Sequence, residues 1–554
     1  MKRLPSGISN YETMINDNYY YVDKTKYIEK LEDFDNHNLM FLRPRKFGKS
    51  LFTSVLENYY DINKKDKFNY LFSNTYIGKN PTIKKNSYYV LRFDFSGIDT
   101  SDLDKTIYSF KEKVLVGLKD FVRKYNFDFV IDESKDSEDL LNNIIFNFKN
   151  LNLENKMYVI IDEYDHFTNE VLSFNTGNFS SLVSQNGKVR KFYEVLKQGV
   201  FTAVDRVFIT GVAPITMDSL TSGFNIADDI TRDPRFNEMC GFTEEEVIQI
   251  MKNLELSKEK RDYLLPIMRK YYDGYKFSIK SNTHIYNSNM CLYFLSYYHE
   301  FGDLPETLID KKVASDYSKI ANIINICDDE NKEDIILKSI SGELIESKIK
   351  DEFNFELKFD LTDFISMLFY IGYLTIDSNG FLFTSLKVPN KVMKDLYADY
   401  FLNKVKDNLN IKIDYSKIGS EMAFNGKIDG AVEILERNLK SLSNRDYQRF
   451  DEKYVKVLFY SLVNNFEKIY NIKSEYETEG KYPDLLLFPN EKDYYTIMIE
   501  FKYLKKEEDG KLNDKMNEAK EQLINYSSSG EFKNIKLKRY AVVCIKSKVY
   551  VEEV

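Results

Sequence analysis

The sequence predicts an α/β protein built in several parts, and three observations carry that expectation. Over residues 1–240 short apolar strands alternate with helical stretches, the pattern of a parallel sheet covered on both faces. Residues 243–350 then read as mostly helical. From about residue 441 a separate order of helix, two strands, helix and strand implies a second α/β unit. A length of 554 residues agrees with three or four domains at about 100–200 residues each. The expected divisions are 1–240, 241–350, 351–440 and 441–554.

Each element has a local reason. The strands expected at Leu39–Leu42, Tyr88–Phe93, Met157–Asp162 and Arg206–Thr210 are apolar runs between polar loops, with helices expected at 49–61 and 102–125. Thr243-Glu-Glu-Glu246 is a capping-box pattern ahead of an apolar helical period, Val247, Ile248, Ile250 and Met251. Tyr272-Asp-Gly-Tyr-Lys-Phe277 interrupts the helical stretch. Phe364–Thr375 reads as helix into strand, and Asp377-Ser-Asn-Gly380 as a hairpin turn before Phe381–Phe383. That order fits a winged-helix-like linker or a plain helical spacer carrying one hairpin. The C-terminal elements are expected at about 449–470, 484–488, 494–503, 511–527 and 539–545.

Composition narrows the class. Apolar residues make up 43% and charged residues 30%, with a mean hydropathy of −0.44. No run approaches the ~20 apolar residues of a membrane span, and the start MKRLPSGISNYE lacks the apolar stretch of a signal peptide. Cys240, Cys291, Cys327 and Cys544 are far apart, which argues against a disulfide framework or zinc knuckle and for a reducing cytoplasm. The net charge of −9 lies wholly in 1–440, because residues 441–554 carry 20 basic and 20 acidic residues. Any nucleic-acid surface must therefore be local.

Residues 39–56 read LMFLRPRKFGKSLFTSVL, an apolar strand, a loop and a helix opened by Gly48-Lys49-Ser50. This is a P-loop pattern. The loop and helix start, with Arg45, Phe47, Gly48 and Leu51, would wrap phosphates in backbone N–H groups. Lys49 would reach the β/γ oxygens and Ser50 a Mg²⁺ ion. Val159-Ile160-Ile161-Asp162-Glu163 is an apolar strand ending in two carboxylates. Asp162 would hold the Mg²⁺ and Glu163 would polarise the attacking water. Val207 to Val212 supplies a third strand, on which Thr210 is placed to sense the terminal phosphate. Arg232 and Arg235 are candidate arginine fingers, with surface salt bridges the favoured reading.

A second constellation lies in 474–503. Pro483-Asp484 opens one strand and Glu500-Phe501-Lys502 ends the next. Alternation puts Glu500 and Lys502 on one face. A turn centred near Glu491 would set Asp484 beside Met498 on that face. Asp484 and Glu500 are hard oxygen ligands for Mg²⁺ or Mn²⁺, and Lys502 would orient or deprotonate the attacking water. Glu475 or Glu452 would complete the ligand set, and Gln522 would touch phosphate or water. Lys536-Leu-Lys-Arg539 reads as a solvated turn or a DNA-backbone contact. His37, His166, His284 and His299 are scattered and read as structural.

Both halves resemble known families. Residues 1–300 are similar to the AAA-ATPase-like family through Tyr21-Val-Asp-Lys-Thr25, RPRKFGKS, Phe93-Asp-Phe-Ser96, IIDEYDH, ITGVAP, GFTEEEV and YDGYKF. Pro44-Arg45 before GKS also looks like the loop of archaeal-type STAND ATPases, relatives of AAA+ proteins. Residues 368–390 resemble that family's linker, and 449–545 its C-terminal PD-(D/E)XK nuclease domain. Asp484, Glu500 and Lys502 fall on the motif positions. Two positions depart: Arg43 stands where the first P-loop glycine is usual, and Lys481-Tyr482-Pro483 where Gly-Arg-x is usual. The first bears on ATP affinity and the second on a phosphate contact. The resemblance implies a cytoplasmic ATPase with a helical lid and a Mg²⁺-dependent nuclease acting on nucleic acid, DNA before RNA. It further implies a defence or mobile-element setting and possible homo-oligomers. The competing reading is a nucleotide-sensing signalling or scaffold protein whose nuclease-like domain binds nucleic acid or a partner without cutting. An ATPase for protein remodelling is disfavoured because no pore-loop motif stands out.

Overall fold

A computed structural model describes residues 2–166, 187–214, 227–309, 323–324, 326–327, 329–353, 359–380, 382–406, 414–441, 451–474, 476, 482–505, 511–533 and 535–554. The chain forms two compact units, one of Met1–Lys332 with Leu344–Val392, the other of Glu333–Glu343 with Met393–Val554.

The first unit is built on strands β1 (Asn38–Leu42), β2 (Tyr89–Asp94), β3 (Met157–Asp162), β4 (Val204–Gly211) and β5 (Asp228–Asp229). They run parallel in the order β2-β3-β4-β1-β5. Every residue of β3 is buried, which is why MYVIID is an unbroken apolar run up to its last residue. The sequence order is not the spatial order, since β4 inserts between β1 and β3. The register sets Phe41 beside Thr210 and Asp94 beside Asp162. The ends of β1, β2, β3 and β4 thus open on one edge, where ligands bind in such sheets.

Helix Lys49–Tyr60 leaves β1 through the glycine loop. Helices Leu103–Lys124, Ser137–Asn150 and Lys188–Val200 carry buried apolar faces such as Phe110, Val114, Leu118 and Phe121 on the first of them. The capping box forms as expected, with Thr243 and Glu246 each receiving the other's backbone N–H. Strand β6 (Ile345–Ser347) precedes helix Leu361–Tyr370, and β7 (Thr375–Asn379) and β8 (Thr384–Lys387) follow it; the three form an antiparallel sheet ordered β6-β8-β7. The returning strand starts after the expected Phe381–Phe383, and Phe381 lies outside the described residues. The YDGYKF segment docks on this sheet: Lys276 N–H donates to Thr375 Oγ1 at 2.7 Å and Ile376 N–H to Lys276 O at 3.3 Å. Gly274 (φ +98°) is needed there, since a Cβ would come within 2.0 Å of Pro389 O.

The second unit holds β9 (Tyr470–Ser474), β10 (Leu485–Pro489), β11 (Thr496–Leu504), β12 (Leu537–Ile545) and β13 (Lys548–Glu553), ordered β13-β12-β11-β10-β9. Only β11 and β12 run parallel. Helix Lys511–Ser527 occupies the expected span and buries Met516, Ala519 and Leu523 against Leu486, Met498, Ala541 and Val543. Helix Glu452–Val463 sets Phe459 against Phe501 with ring centroids 5.3 Å apart. Strand β13 was not expected from the sequence, because KVYVEE is too short and charged to stand out. Register also corrects one expectation. Leu485 pairs with Ile499 and Leu486 with Met498, so the connection is symmetrical about Lys492 and not Glu491. Asp484 therefore faces Glu500, and Leu486 takes the place beside Met498. The cause is the turn, which is closed by Tyr494 N–H donating to Glu491 O at 3.2 Å.

Candidate functional sites

The loop after β1 turns through Lys46 (φ 68°) and Gly48 (φ 97°). Gly48 caps helix Lys49–Tyr60 in the left-handed region, which a side chain would strain. The first residue of the loop needs no such freedom. Arg43 leaves β1 with its N–H donating to Gly211 O at 3.1 Å. Its buried guanidinium donates to Leu42 O, Thr231 O and Phe236 O at 2.8, 2.8 and 2.9 Å. It also lies 4.3 Å and 4.1 Å from the ring centres of Phe41 and Phe277. Arg43 is thus spent on the packing behind the loop. Phe47 is likewise buried, edge-on to Tyr275 and Phe277, while its carbonyl accepts Gly241 N–H at 2.8 Å.

Lys49 Nζ donates to Arg43 O at 3.0 Å and Pro44 O at 3.3 Å and lies 3.7 Å from Glu163 Oε1. Asp162 Oδ2 lies 3.4 Å from Thr53 Oγ1 and 3.5 Å from Arg92 Nη2, with the Ser50 side chain close enough to favour its ionised form. Burial, then the neighbouring Glu163, pushes the Asp162 carboxyl up to about 6, against the pull of Arg92, Ser50 and Lys49. A cavity of about 480 Å³ opens in front of these groups. Arg45 to Phe52 and Glu163 form its polar end, and Ile8, Tyr20, Tyr21 and Phe242 lie among its apolar walls. A hydroxyl paired with a carboxylate beside a lysine is a donor set that fits Mg²⁺ and phosphate. Thr210 does not line the cavity. Its hydroxyl is buried in the sheet with no hydrogen-bond partner among the described residues. Arg232 pairs with Asp351, and Arg235 pairs with Asp233 at 2.6 Å and stacks on Phe34. Neither arginine lines the cavity.

In the second unit the register brings the three expected groups together. Asp484 N–H donates to Glu500 Oε2 at 3.3 Å, and Asp484 Oδ2 accepts Phe501 N–H at 2.9 Å. Lys502 Nζ lies 3.1 Å from Glu500 Oε1 and 3.4 Å from Glu452 Oε1. Glu500 is 3% exposed, and burial followed by the charge of Asp484 pushes its carboxyl up to about 7. Burial raises Glu452 as well. For Lys502 burial works against the charge, but Glu500 and Glu452 outweigh it and the ammonium is held above its usual value. Among the described residues no group of three or more His, Cys, Asp or Glu side chains is arranged to hold a metal. Asp484 and Glu500 alone suit a hard divalent ion that keeps much of its water. Residues 5–221 match the family described as Predicted AAA-ATPase, and residues 450–554 match the PD-(D/E)XK nuclease superfamily.

An uncharacterized protein in the vnfD 5′ region of Azotobacter chroococcum mcd 1 is 28% identical to this chain over 285 residues. The aligned part covers 50% of this chain and 49% of that protein, so the chain spans about half the length of the curated relative it matches.

Around the nuclease-superfamily site, sequence reasoning missed two groups. Lys456, one helical turn after Glu452, is buried and lies 3.3 Å from Asp484 Oδ1. Tyr526 is close enough to the cluster that burial, then Glu500 and Asp484, raises its hydroxyl to about 12. Helical spacing from Gln522 was the available signal for Tyr526. Gln522 itself has a buried Oε1 without a partner among the described residues. Glu475 lies outside the described residues, as does Lys481. The basic run is held internally: Lys536 on Asp493 O, Lys538 on Glu553, and Arg539 on Val554 O and Ser527 Oγ. In the AAA-ATPase-like half the missed groups are Arg92 and Asp94, which line the cavity from β2. His37 pairs with Asp205 at 3.5 Å, and His166 lines the cavity. The four cysteines are free and buried, and no described helix is long and apolar enough to cross a membrane.

Proposed function

We propose that the chain binds and hydrolyses ATP through its first unit and cleaves nucleic acid, DNA in the first instance, through its second. The convergence of Asp484, Glu500 and Lys502 in a domain of the nuclease superfamily is the observation that carries the reading. A divalent ion, Mg²⁺ or Mn²⁺, would supply charge neutralisation at the scissile phosphate and an acidified water. Asp484 and Glu500 would hold it. The Lys502 ammonium, kept charged by Glu500 and Glu452, would orient the water or neutralise the phosphate. In the other unit Ser50 and Asp162 would hold Mg²⁺, Lys49 the β/γ phosphates, and Glu163 the attacking water. The loop N–H groups from Arg45 to Leu51 would wrap the phosphates. The nucleotide state would gate cleavage, in a cytoplasmic protein that assembles with its own copies in a defence or mobile-element role.

One observation favours the alternative of binding without cutting. Two buried ammonium groups, Lys456 and Lys502, already neutralise the carboxylates of the site. The deciding experiment incubates purified protein with plasmid and linear DNA, with Mg²⁺ or Mn²⁺, with and without ATP, beside Asp484→Ala and Lys49→Ala. Cleavage lost in Asp484→Ala supports the nuclease, and cleavage lost in Lys49→Ala supports gating. ATP turnover without cleavage of either substrate moves the reading to a nucleotide-sensing scaffold.

A further inference from the structure

The strand beside the acidic strand contributes an arginine to the nucleotide cavity. Arg92 lies two residues before Asp94, the register partner of Asp162. Residues two apart on a strand share a face, and both Arg92 and Asp94 line the cavity. The Arg92 side chain is 25% exposed and splits its donors. Nη1 donates to Glu57 Oε2 at 3.2 Å, while Nη2 lies 3.3 Å from Thr53 Oγ1 and 3.5 Å from Asp162 Oδ2. Glu57 also has Lys124 at 3.0 Å, which it shares with Asp61 at 2.6 Å, so Arg92 Nη1 stays engaged with Glu57 while Nη2 is the arm that faces Asp162. Asp162 is 1% exposed and stands next to Glu163, and among the described residues its ion-pair partner is Arg92.

We propose that Arg92 is a ligand-binding residue of the nucleotide site, a cis-acting arginine that favours the triphosphate over the diphosphate. The proposal rests on reading this cavity as an ATP site. Its physical basis is placement. Lys49 enters from the helix start beside Glu163 and Arg92 from β2 beside Asp162, and both line the cavity, so each can meet the charge that a terminal phosphate adds. A guanidinium presents several donors in a fixed fork. It can keep its bond to Glu57 through Nη1 while Nη2 turns to a phosphate oxygen. A lysine has its three donors on one nitrogen, without the span of the planar fork, and would serve the two partners less well from this position.

The test is the affinity of the full chain for ATP and for ADP, each with Mg²⁺, by calorimetry. Wild type, Arg92→Met, Arg92→Lys and Lys49→Ala are compared, with melting temperatures recorded alongside. A charge-assisted hydrogen bond to the third phosphate predicts that Arg92→Met weakens ATP by about tenfold or more and ADP by less than about twofold. Arg92→Lys should fall between, and it carries the test if Arg92→Met does not fold. Equal weakening of ATP and ADP, or no change in either, would overturn the proposal and leave Arg92 a tie between β2 and the helix. Wild-type protein that binds neither nucleotide would overturn the ATP-site reading itself.

Discussion

Asp484 sits across the β10–β11 pair from Glu500, and its backbone N–H donates to Glu500 Oε2 at 3.3 Å. Phe501 N–H returns the favour to Asp484 Oδ2 at 2.9 Å. Two carboxylates that repel each other are thus held together by backbone donors that cannot be titrated away. The same closeness, added to burial, raises the Glu500 carboxyl from its ordinary 4.5 to about 7.

That shift has a sign in two measurements. Between about pH 4.5 and 7 the folded chain holds a proton on Glu500 that the unfolded chain has lost. This contribution to stability is fully present below 4.5 and is lost as pH rises through about 7. Mn²⁺ binding needs the carboxylate, so it should run the other way and strengthen through the same interval. Titration by calorimetry at pH 6 and pH 8 should show tighter binding at pH 8. Glu500→Gln should bind weakly and without that pH dependence.

Lys456 is the near neighbour of Asp484 that the sequence did not advertise. Replacing it with methionine leaves Asp484 with its backbone donor alone, at a side chain 17% exposed. Urea unfolding followed in the second unit should show a loss of about 1–3 kcal/mol. An unchanged midpoint would mean that solvent already screens the pair.

Arg43 is placed behind the loop that leads into helix Lys49–Tyr60 and is bonded to three carbonyls. Restoring glycine there should not improve ATP affinity. It should instead destabilise the first unit by about 3–5 kcal/mol, the range for losing a large buried side chain and its hydrogen bonds. Thermal melting and an ATP titration of Arg43→Gly separate the two effects.

Gly48 holds φ 97° at the start of helix Lys49–Tyr60. Gly48→Ala should cost about 1–2 kcal/mol in backbone strain, because alanine resists the left-handed region. It should also weaken ATP, since the loop N–H groups would turn away from one another. Nucleotide titration checks it, with Gly530→Ala at a surface turn as the control.

Strands β1 and β3 were legible because they are runs of buried, mostly apolar residues: β3 occupies the span that MYVIID suggests. Helix Lys511–Ser527 was legible for the complementary reason, an apolar face at Met516, Ala519 and Leu523. The capping box at Thr243 is a local pattern and needed nothing distant. Arg92 and Lys456 were not legible. A cation two residues before Asp94, or four after Glu452, looks like any solvated charge until its partner is known. Asp162 lies 70 residues from Arg92, and Asp484 lies 28 from Lys456.

By itself the sequence determined the longer apolar strands and amphipathic helices, the loop that opens on Gly48 and Lys49, and the identity of the carboxylates at the strand ends. These depend on local patterns of apolarity, on φ and on residue chemistry. Tertiary structure alone decided that β4 inserts between β1 and β3, that Arg43 turns into the packing behind the loop, and that Asp484 faces Glu500. Strand order and register come from long-range pairing, where a shift of two residues keeps every side chain on its face yet changes which partner it meets.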